Sequence, residues 1–307
     1  MVKTIPINKS ISDFAKEIND TIISIIEYDK DCSSIRWGSN NELSQYTEYD
    51  IDYESIESLF SHCPISVCPN KLTKRLIYNR LAVIDNLYGT NIVRMRRFGI
   101  ADLTDSIWQL CDNGYGNHTD FELTKKAENF VLTYSTTLYN NKPTNHIINA
   151  FTTGYGVFIN SNNKVTHSKA PSIISKYLYF LLQTNHTNNI GFPIYDSLVC
   201  KVAPKIAQKL GVIHYGCCTD IWKYTFILSE IIRVLEAQNP SLWNKQNPRK
   251  TKFALLDHFL WRIGKVKTNS FSLLLTKSEL ISYLNSGKTN LPNRIMQIQL
   301  FINNNNI

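Results

Sequence analysis

Two residues, Lys176 and Asp196, have the types and the spacing to do chemistry together. The apolar run from 177 to 182 predicts a helix of about 12 Å that carries the lysine in its first turn. The polar loop from 183 to 191 is long enough to return the chain over that length. We therefore expect Asp196 to lie beside Lys176, where its carboxylate would also cap a helix that begins at Ser197.

A lysine and a carboxylate in this position suit the cleavage of a bond between a base and its sugar. Helix N-termini disfavour the ammonium form of a lysine and so favour a nucleophilic amine. Departure of the base leaves positive charge on the sugar, and a fixed carboxylate can stabilise that charge or orient the attacking group. A surface lysine beside an ordinary helix-capping aspartate is the structural alternative.

The sequence around the pair resembles the helix-hairpin-helix DNA glycosylases, particularly their 8-oxoguanine branch. The hairpin of that family reads Pro-Gly-Val-Gly-Thr-Lys, and a Pro-Val-Asp segment follows it at the spacing found here. The identical or similar residues are Pro171, Ile173, Ser175, Lys176, Pro193, Ile194 and Asp196, with Tyr195 inserted. The resemblance covers roughly residues 143 to 263.

The resemblance implies an enzyme that flips a damaged or modified base out of double-stranded DNA and cleaves its N-glycosidic bond. Lys176 would be the Schiff-base nucleophile, with an added lyase step, or would serve a water nucleophile, and Asp196 would be the catalytic carboxylate. Base-excision repair and antiviral defence against phage DNA with modified bases are both open roles. Tyr177, Phe192 and Tyr195 are expected to line the base pocket because they neighbour the pair. No cofactor is implied.

The sequence departs from the family at the two hairpin glycines, which are Ser172 and Ile174 here. In the family, the backbone amides of those glycines approach a DNA phosphate, and a β-branched residue does not easily adopt the positive φ available to glycine. We therefore expect phosphate contacts from Ser172, Ser175, Lys169 or the basic helices.

Charge is distributed unevenly along the chain. Residues 1 to 62 hold 12 acidic and 5 basic residues, whereas the remaining 245 hold 13 acidic and 28 basic residues, a net charge of +15. A basic body attracts polyanions such as nucleic acids. Basic residues are dense between 71 and 97, and the predicted DNA contacts there are Arg75, Arg80, Arg96 and Arg97. A solvated helix face is the alternative for this cluster.

Hydrophobic periodicity predicts a mainly α protein, which the resemblance refines to a two-lobed, helix-hairpin-helix glycosylase-like fold with an additional N-terminal segment. We expect the acidic segment to span 1–62 and the body 63–307, because Pro64 and Pro69 break the chain where the charge reverses. The predicted helices are 11–25, 71–87, 102–110, 121–139, 143–151, 171–183, 197–203, 204–210, 219–238, 251–263 and 276–285. A strand or extended segment is expected at 155–159, a loop or strand pair at 33–56, and a frayed tail at 303–306.

Other features limit the class of protein. The seven cysteines form an odd set without a Cys-x-x-Cys motif, which argues against a disulfide framework. Cys63 and Cys68, with His62, are too few for a zinc site, so no metal is expected. No apolar window of about 18 residues exists, and charged residues interrupt the first twenty or so positions, so we expect a cytoplasmic protein without a membrane partner.

Two rival functions remain open from the sequence. A DNA-binding module that keeps the glycosylase architecture without the chemistry would share the basic charge and the helices. An RNA-binding interaction protein would rest on charge and aromatic residues alone. Release of a base from DNA separates the first prediction from both rivals.

Overall fold

The computed structural model describes residues 10–28, 45–61, 72–88, 90, 92, 97–137, 141, 143–159, 164–185, 189–212, 220–244 and 251–307. Within these ranges the chain forms thirteen α-helices, one 3-10 helix and a two-stranded antiparallel sheet. The mainly helical class predicted from the sequence is confirmed. In the part of the chain described, no helix is long and apolar enough to cross a membrane.

The helices and strands are numbered in chain order. They are α1 (Ile11–Tyr28), α2 (Glu48–Ser61), α3 (Lys74–Leu87), α4 (Gly99–Leu110), α5 (Asp120–Thr136), α6 (His146–Thr152), β1 (Tyr155–Ile159), β2 (Val165–Ser168), α7 (Pro171–Asn185), α8 (Ser197–Lys209), α9 (Ile221–Gln238), α10 (Pro240–Trp243), α11 (Lys252–Lys267), the 3-10 helix (Phe271–Leu274), α12 (Lys277–Asn285) and α13 (Asn293–Asn305).

Local sequence signals explain where several helices begin. Four helices follow a threonine whose hydroxyl accepts a hydrogen bond from the backbone N–H three residues later, which satisfies one unpaired donor of the first turn. These threonines are Thr73, Thr119, Thr251 and Thr276. In α12 the Glu279 carboxylate also accepts a hydrogen bond from the Thr276 backbone N–H, which completes a capping box. Helix α6 is capped by Asn145, so Pro143, expected in its first turn, lies outside it.

The chain divides into two compact units. The terminal unit comprises Met1–Glu54, Ser197–Cys217 and Ile227–Ile307, and the central unit comprises Ser55–Asp196 and Cys218–Phe226. This division does not follow the boundary expected between residues 62 and 63, because the beginning of the chain groups with its end.

Close helix packing and aromatic contacts define the core of the terminal unit. Helix α11 packs against α8 and α13, and α1 packs against α13. A Cβ atom on Gly264 of α11 would lie 2.8 Å from the Leu198 Cβ, so the approach of α11 to α8 requires glycine. The Phe301 ring stacks on Phe14 at 6.1 Å and meets the Phe259 ring edge-on at 5.7 Å.

Helix α7 forms the centre of the central unit. Its residues from Ile173 to Gln183 are all buried, and helices α3, α5 and α6 pack against it. A helix enclosed in this way is expected to be mostly apolar, which explains the continuous apolar run from 177 to 182, while Ser175, Lys176 and Gln183 are its buried polar residues. The β1–β2 hairpin precedes α7, and β1 packs against α4.

Several predicted elements were wrong. Residues 48–56, expected in a loop or strand pair, lie in α2, whose buried Tyr53, Ile56 and Phe60 follow a helical spacing hidden by the acidic residues between them. The predicted break at Pro204 is absent, because α8 continues through it with buried residues on both sides. Residues 303–305, expected to fray, belong to α13, which was not predicted, and neither was β2.

Candidate active site

Lys176 lies in the second turn of α7, not in the first as predicted. The helix already begins at Pro171, a position that suits proline because the first helical N–H has no intrahelical partner. All the residues that match the family hairpin, 171 to 176, are therefore helical, and strand β2 precedes them instead of a helix. Ile174 consequently needs no positive φ, which removes the conformational objection to a β-branched residue there.

The side chains of Lys176 and Asp196 come together as their spacing predicted. The Lys176 Nζ lies 3.9 Å from the Asp196 Oδ2, a distance too long for a direct hydrogen bond but within ion-pair range. The lysine side chain is 4% exposed and the aspartate side chain 19% exposed. The carboxylate is therefore the more solvent-accessible member of the pair.

Two further side chains hold the lysine in place. Its Nζ donates a hydrogen bond of 2.7 Å to the Ser172 Oγ, one helical turn earlier, and lies 4.8 Å from the centre of the Tyr88 ring. The ring face is electron-rich and stabilises a cation above it. These contacts orient the amine of Lys176 before any substrate is bound.

The segment that carries Asp196 is fixed to α7 and α9. The Tyr195 backbone N–H donates to the Ser175 Oγ at 2.8 Å, and the Tyr224 hydroxyl donates to the Ile194 carbonyl at 2.7 Å. The rings of Tyr195 and Tyr224 also meet edge-on at 5.2 Å. Because Ser175 directly precedes the lysine, one hydroxyl sets the position of the aspartate segment relative to the lysine.

The DNA-contact role predicted for Arg80 is wrong. Its side chain is 0% exposed, and its Nη1 donates to both Asp120 carboxylate oxygens at 3.0 and 2.9 Å. The same Nη1 lies 3.3 Å from the Tyr177 hydroxyl, and the guanidinium lies 4.4 Å from the centre of the Phe60 ring. A guanidinium enclosed in this way cannot reach a phosphate of the DNA backbone.

Two of the three predicted base-pocket residues lie in the core. Tyr177 and Phe192 are fully buried, and Phe192 stacks on Phe130 and Phe151 at 5.5 and 6.2 Å. Burial raises the pKa of the Tyr177 hydroxyl above its ordinary value, so it remains a neutral phenol. The assignment of Tyr177 and Phe192 to the pocket is corrected, and the half-buried Tyr195 is the remaining candidate.

The other predicted DNA contacts differ in accessibility. Ser175 is buried with both hydrogen-bonding roles of its hydroxyl in use, because it also donates to the Ser172 carbonyl, so it is not a phosphate ligand. Ser172 is half-buried and accepts from Lys176. The exposed predicted contacts are Lys169, Arg75 and Arg97, and Arg96 lies outside the described residues.

Sequence reasoning missed Tyr88, Tyr224 and the contact between Ser172 and the lysine. The last could have been found, because residues four apart lie on one helix face. Tyr88 and Tyr224 approach the site from other helices or their ends, and no local sequence pattern marks them.

The central unit contains a cleft whose charged lining residues are mostly acidic. A cleft of about 790 Å³ is lined by four carboxylates, those of Asp102, Asp105, Asp112 and Glu122, and its lining includes neither Lys176 nor Asp196. Several of these carboxylates have partners within the protein, including Lys74 for Asp105. Such a cleft repels a polyanion, so it is not a surface for DNA.

The terminal unit carries a basic pair that was not predicted. Lys205 of α8 and Lys267 of α11 lie side by side, and burial together with the neighbouring ammonium lowers the pKa of Lys267.

Metal-ligating side chains are not gathered in the described part of the chain. There, no group of three or more His, Cys, Asp or Glu residues is arranged to hold a metal ion. Cys63, Cys68 and His62 lie outside the described residues. Cys111 and Cys200 form no disulfide within the described ranges, and burial, followed by the Asp120 charge, raises the pKa of the Cys111 thiol.

Comparison of the sequence with protein-family models gives no match, and comparison with curated proteins and with solved structures gives no significant match.

Proposed function

We propose that the protein is a DNA glycosylase that excises a damaged or modified base, with Lys176 and Asp196 as its catalytic pair. The observation that carries the proposal is a lysine on a buried apolar helix, 3.9 Å from a partly exposed carboxylate. Burial of a cation costs free energy unless it is paired. A cation placed where the neighbouring positions are buried and mostly apolar is typical of a functional position.

The chemistry follows from the two groups. Lys176 first loses its ammonium proton to solvent. The neutral amine then attacks C1′ of the flipped nucleotide, the bond from C1′ to the base breaks, and the base leaves with the electron pair and takes up a proton. Loss of a proton from the lysine nitrogen and opening of the sugar ring give a Schiff base, from which β-elimination releases the 3′ phosphate. Asp196 stabilises the positive charge that develops on the sugar.

A water nucleophile is the other route to the same base release. In that case Lys176 positions the sugar or the phosphate, water adds to C1′, and an intact abasic site accumulates. The family that the sequence resembles has a two-lobed, helix-hairpin-helix fold, but residues 171 to 176 of this chain begin a helix that follows a strand, so any likeness to that fold lies outside the hairpin. The substrate of the proposed enzyme is double-stranded DNA carrying an oxidised base or a modified base of phage DNA.

Borohydride trapping tests the proposal and separates the two routes. The protein is incubated with duplexes that contain 8-oxoguanine and with phage DNAs that carry modified bases, and released bases are identified by mass spectrometry. With an amine nucleophile, borohydride traps a covalent adduct that Lys176→Gln loses and that the matched control Lys277→Gln, at an exposed lysine of the terminal unit, keeps. Base release without an adduct identifies water as the nucleophile.

The low exposure of the lysine favours a second candidate function, a DNA-binding protein without chemistry. A side chain that is 4% exposed reaches a sugar only if the site opens. Tight duplex binding with no base released from any of these DNAs would contradict the glycosylase and select this second function.

A further inference from the structure

A cluster of lysines on α8 and α11 gives the terminal unit a strongly basic surface. The exposed positions of α8 are serine, glutamine or lysine, and the helix contains no acidic residue. The only carboxylate of α11, that of Asp257, is buried. We call this surface the lysine face, and its members are Lys201, Lys205 and Lys209 of α8 and Lys265 and Lys267 of α11.

The helix ends explain only part of the lysine face. Lys209, Lys265 and Lys267 lie in the last turns of their helices, where a cation offsets the partial negative charge of the unpaired carbonyls. Lys201 and Lys205 lie earlier in α8, so the helix dipole does not account for them.

The contact between Lys205 and Lys267 is unfavourable as it stands. Burial, and then the hydrogen bond and charge of Lys205, lower the pKa of Lys267. A hydrogen bond between two amines requires one of them to be neutral, because an ammonium group has no acceptor. In the part of the chain that the structure describes, no carboxylate pairs with Lys201, Lys205 or Lys267. An anion that bridges the two amines would accept from both and keep both protonated.

The lysines of α8 form a row along the helix. Residues four apart lie on one side of a helix, so Lys201, Lys205 and Lys209 follow one another over about 12 Å. A strand of B-DNA carries one phosphate about every 3.4 Å along its axis, so a row of this length lies opposite about three phosphates. Lys267 widens the row at its middle member.

Apolar side chains are absent from the exposed surface of α8. A helix that binds a membrane surface inserts exposed apolar side chains into the lipid in addition to its basic residues. The apolar residues of α8 between its lysines are all buried, namely Val202, Ala203, Ile206 and Ala207. A row of charges without apolar neighbours favours a phosphate backbone over a lipid surface as the partner.

We propose that the lysine face binds the sugar–phosphate backbone of a nucleic acid, with Lys201, Lys205 and Lys267 on its phosphates. This surface belongs to the terminal unit and is additional to the arginines predicted to bind DNA in the central unit. The inference goes beyond the proposed function, because phosphate binding requires neither Lys176 nor base release. A DNA-binding protein without chemistry would use the same face.

Lys205→Glu separates binding from folding, because the two should change in opposite directions. A glutamate there replaces repulsion with an ion pair to Lys267, so the melting temperature should stay the same or rise. Duplex affinity should fall, since a repulsive charge replaces a phosphate contact. Lys201→Glu with Lys205→Glu is the stronger variant. Its charge-matched control is Lys277→Glu with Lys288→Glu, at two exposed lysines of the same unit that do not belong to the face.

Binding of an unmodified duplex is measured by fluorescence anisotropy over a range of salt concentrations. The double variant of the face should bind at least about tenfold more weakly than the wild type at low salt. Its slope of log affinity against log salt should fall by about two, one for each phosphate that is no longer neutralised. The control variant should keep the wild-type slope.

Acetylation of lysines, mapped by mass spectrometry, locates the contact without any substitution. Bound duplex should protect Lys201, Lys205 and Lys267 from the reagent, whereas Lys277 and Lys288 should react as they do in the free protein. Vesicles that contain phosphatidylserine test the lipid alternative with the same reagent and the same variants.

Wild-type affinity and slope in the double variant would overturn the inference, as would unchanged reactivity of the face with duplex bound. Protection by vesicles but not by duplex would replace nucleic acid with a lipid surface. Base release from duplexes with 8-oxoguanine, measured in parallel, reports separately on the proposed function. Protection by duplex without base release from any modified DNA would remove the glycosylase and keep the lysine face.

Discussion

Arg80 and Lys176 are both buried cations of the central unit, but their surroundings differ in distance and in access to solvent. Arg80 donates to both oxygens of a buried carboxylate at hydrogen-bond distance. Lys176 lies 3.9 Å from a carboxylate that is 19% exposed. In the closed pair one guanidinium nitrogen contacts both oxygens of an enclosed carboxylate, so no ligand can reach that carboxylate, whereas the longer pair has an accessible carboxylate with which a ligand can interact. The difference separates a structural ion pair from a candidate catalytic pair.

The largest expected effect is a loss of stability on breaking the closed pair of Arg80 and Asp120. Arg80→Met leaves Asp120 buried without its cation, and we expect a loss of about 3–5 kcal/mol in the free energy of unfolding, measured by urea denaturation. Arg80→Met combined with Asp120→Leu should recover much of that loss, since the uncompensated charge is gone. If Arg80→Met alone is as stable as the wild type, the pair is not needed for stability.

Lys176→Met tests the pair of Lys176 and Asp196 by replacing the lysine with an uncharged side chain of similar length. Its carboxylate partner remains partly hydrated, so we expect the free energy of unfolding to change by no more than about 1 kcal/mol, while base release is abolished. The measurements are urea denaturation and mass spectrometry of released bases. A destabilisation as large as that of Arg80→Met would show that Lys176 is a structural residue, like Arg80.

Asp196→Asn removes the charge and keeps the shape of the carboxylate partner. We expect base release to fall by at least about a hundredfold, because charge on the sugar is no longer stabilised, with duplex affinity within about twofold of the wild type. Single-turnover assays and fluorescence anisotropy give the two quantities. Full activity in this variant would reject the catalytic assignment.

The exposed arginines of the central unit should contribute to the salt dependence of DNA binding. Arg75→Glu and Arg97→Glu should each weaken duplex binding and reduce the slope of log affinity against log salt by about one for each phosphate that the variant no longer neutralises. Lys277→Glu, an exposed lysine at the start of α12, is the charge-matched control in the terminal unit. Equal slopes in all variants would show that neither arginine binds a phosphate.

The smallest expected effect concerns Asp52, a half-buried carboxyl group near Glu48. Burial and then the charge of Glu48 raise the pKa of Asp52 to about 6, so the folded protein binds this proton more tightly than the unfolded chain does. The contribution of Asp52 to the free energy of unfolding is therefore most favourable below about pH 4, where the carboxyl is protonated in both states, and it is lost as the pH rises through 6. Asp52→Asn should therefore be more stable than the wild type by about 1 kcal/mol at pH 7, because the side chain is half-buried, and equal to it at pH 4.

The proximity of Lys176 and Asp196 could be predicted from the sequence better than the surroundings of this candidate pair. The approach of Asp196 to Lys176 depends on helix rise and loop length, which are read along the chain. The burial of Arg80 depends on Asp120 and Tyr177, which come from other helices, so its charge was misread as a surface feature. Tyr88 reaches the lysine in the same non-local way. Helix α2 was missed because acidic residues mask its buried positions.

The hydrogen bond from the Tyr195 N–H to the Ser175 hydroxyl makes this backbone amide a reporter of site opening. Its exchange with deuterated water depends on a side-chain acceptor, whereas interior amides of α7 are protected by helical hydrogen bonds. Slow exchange at Tyr195 that accelerates on addition of duplex would mean that the aspartate segment detaches while the helix stays folded. Slow exchange that persists with duplex would mean that substrate is accommodated without such an opening.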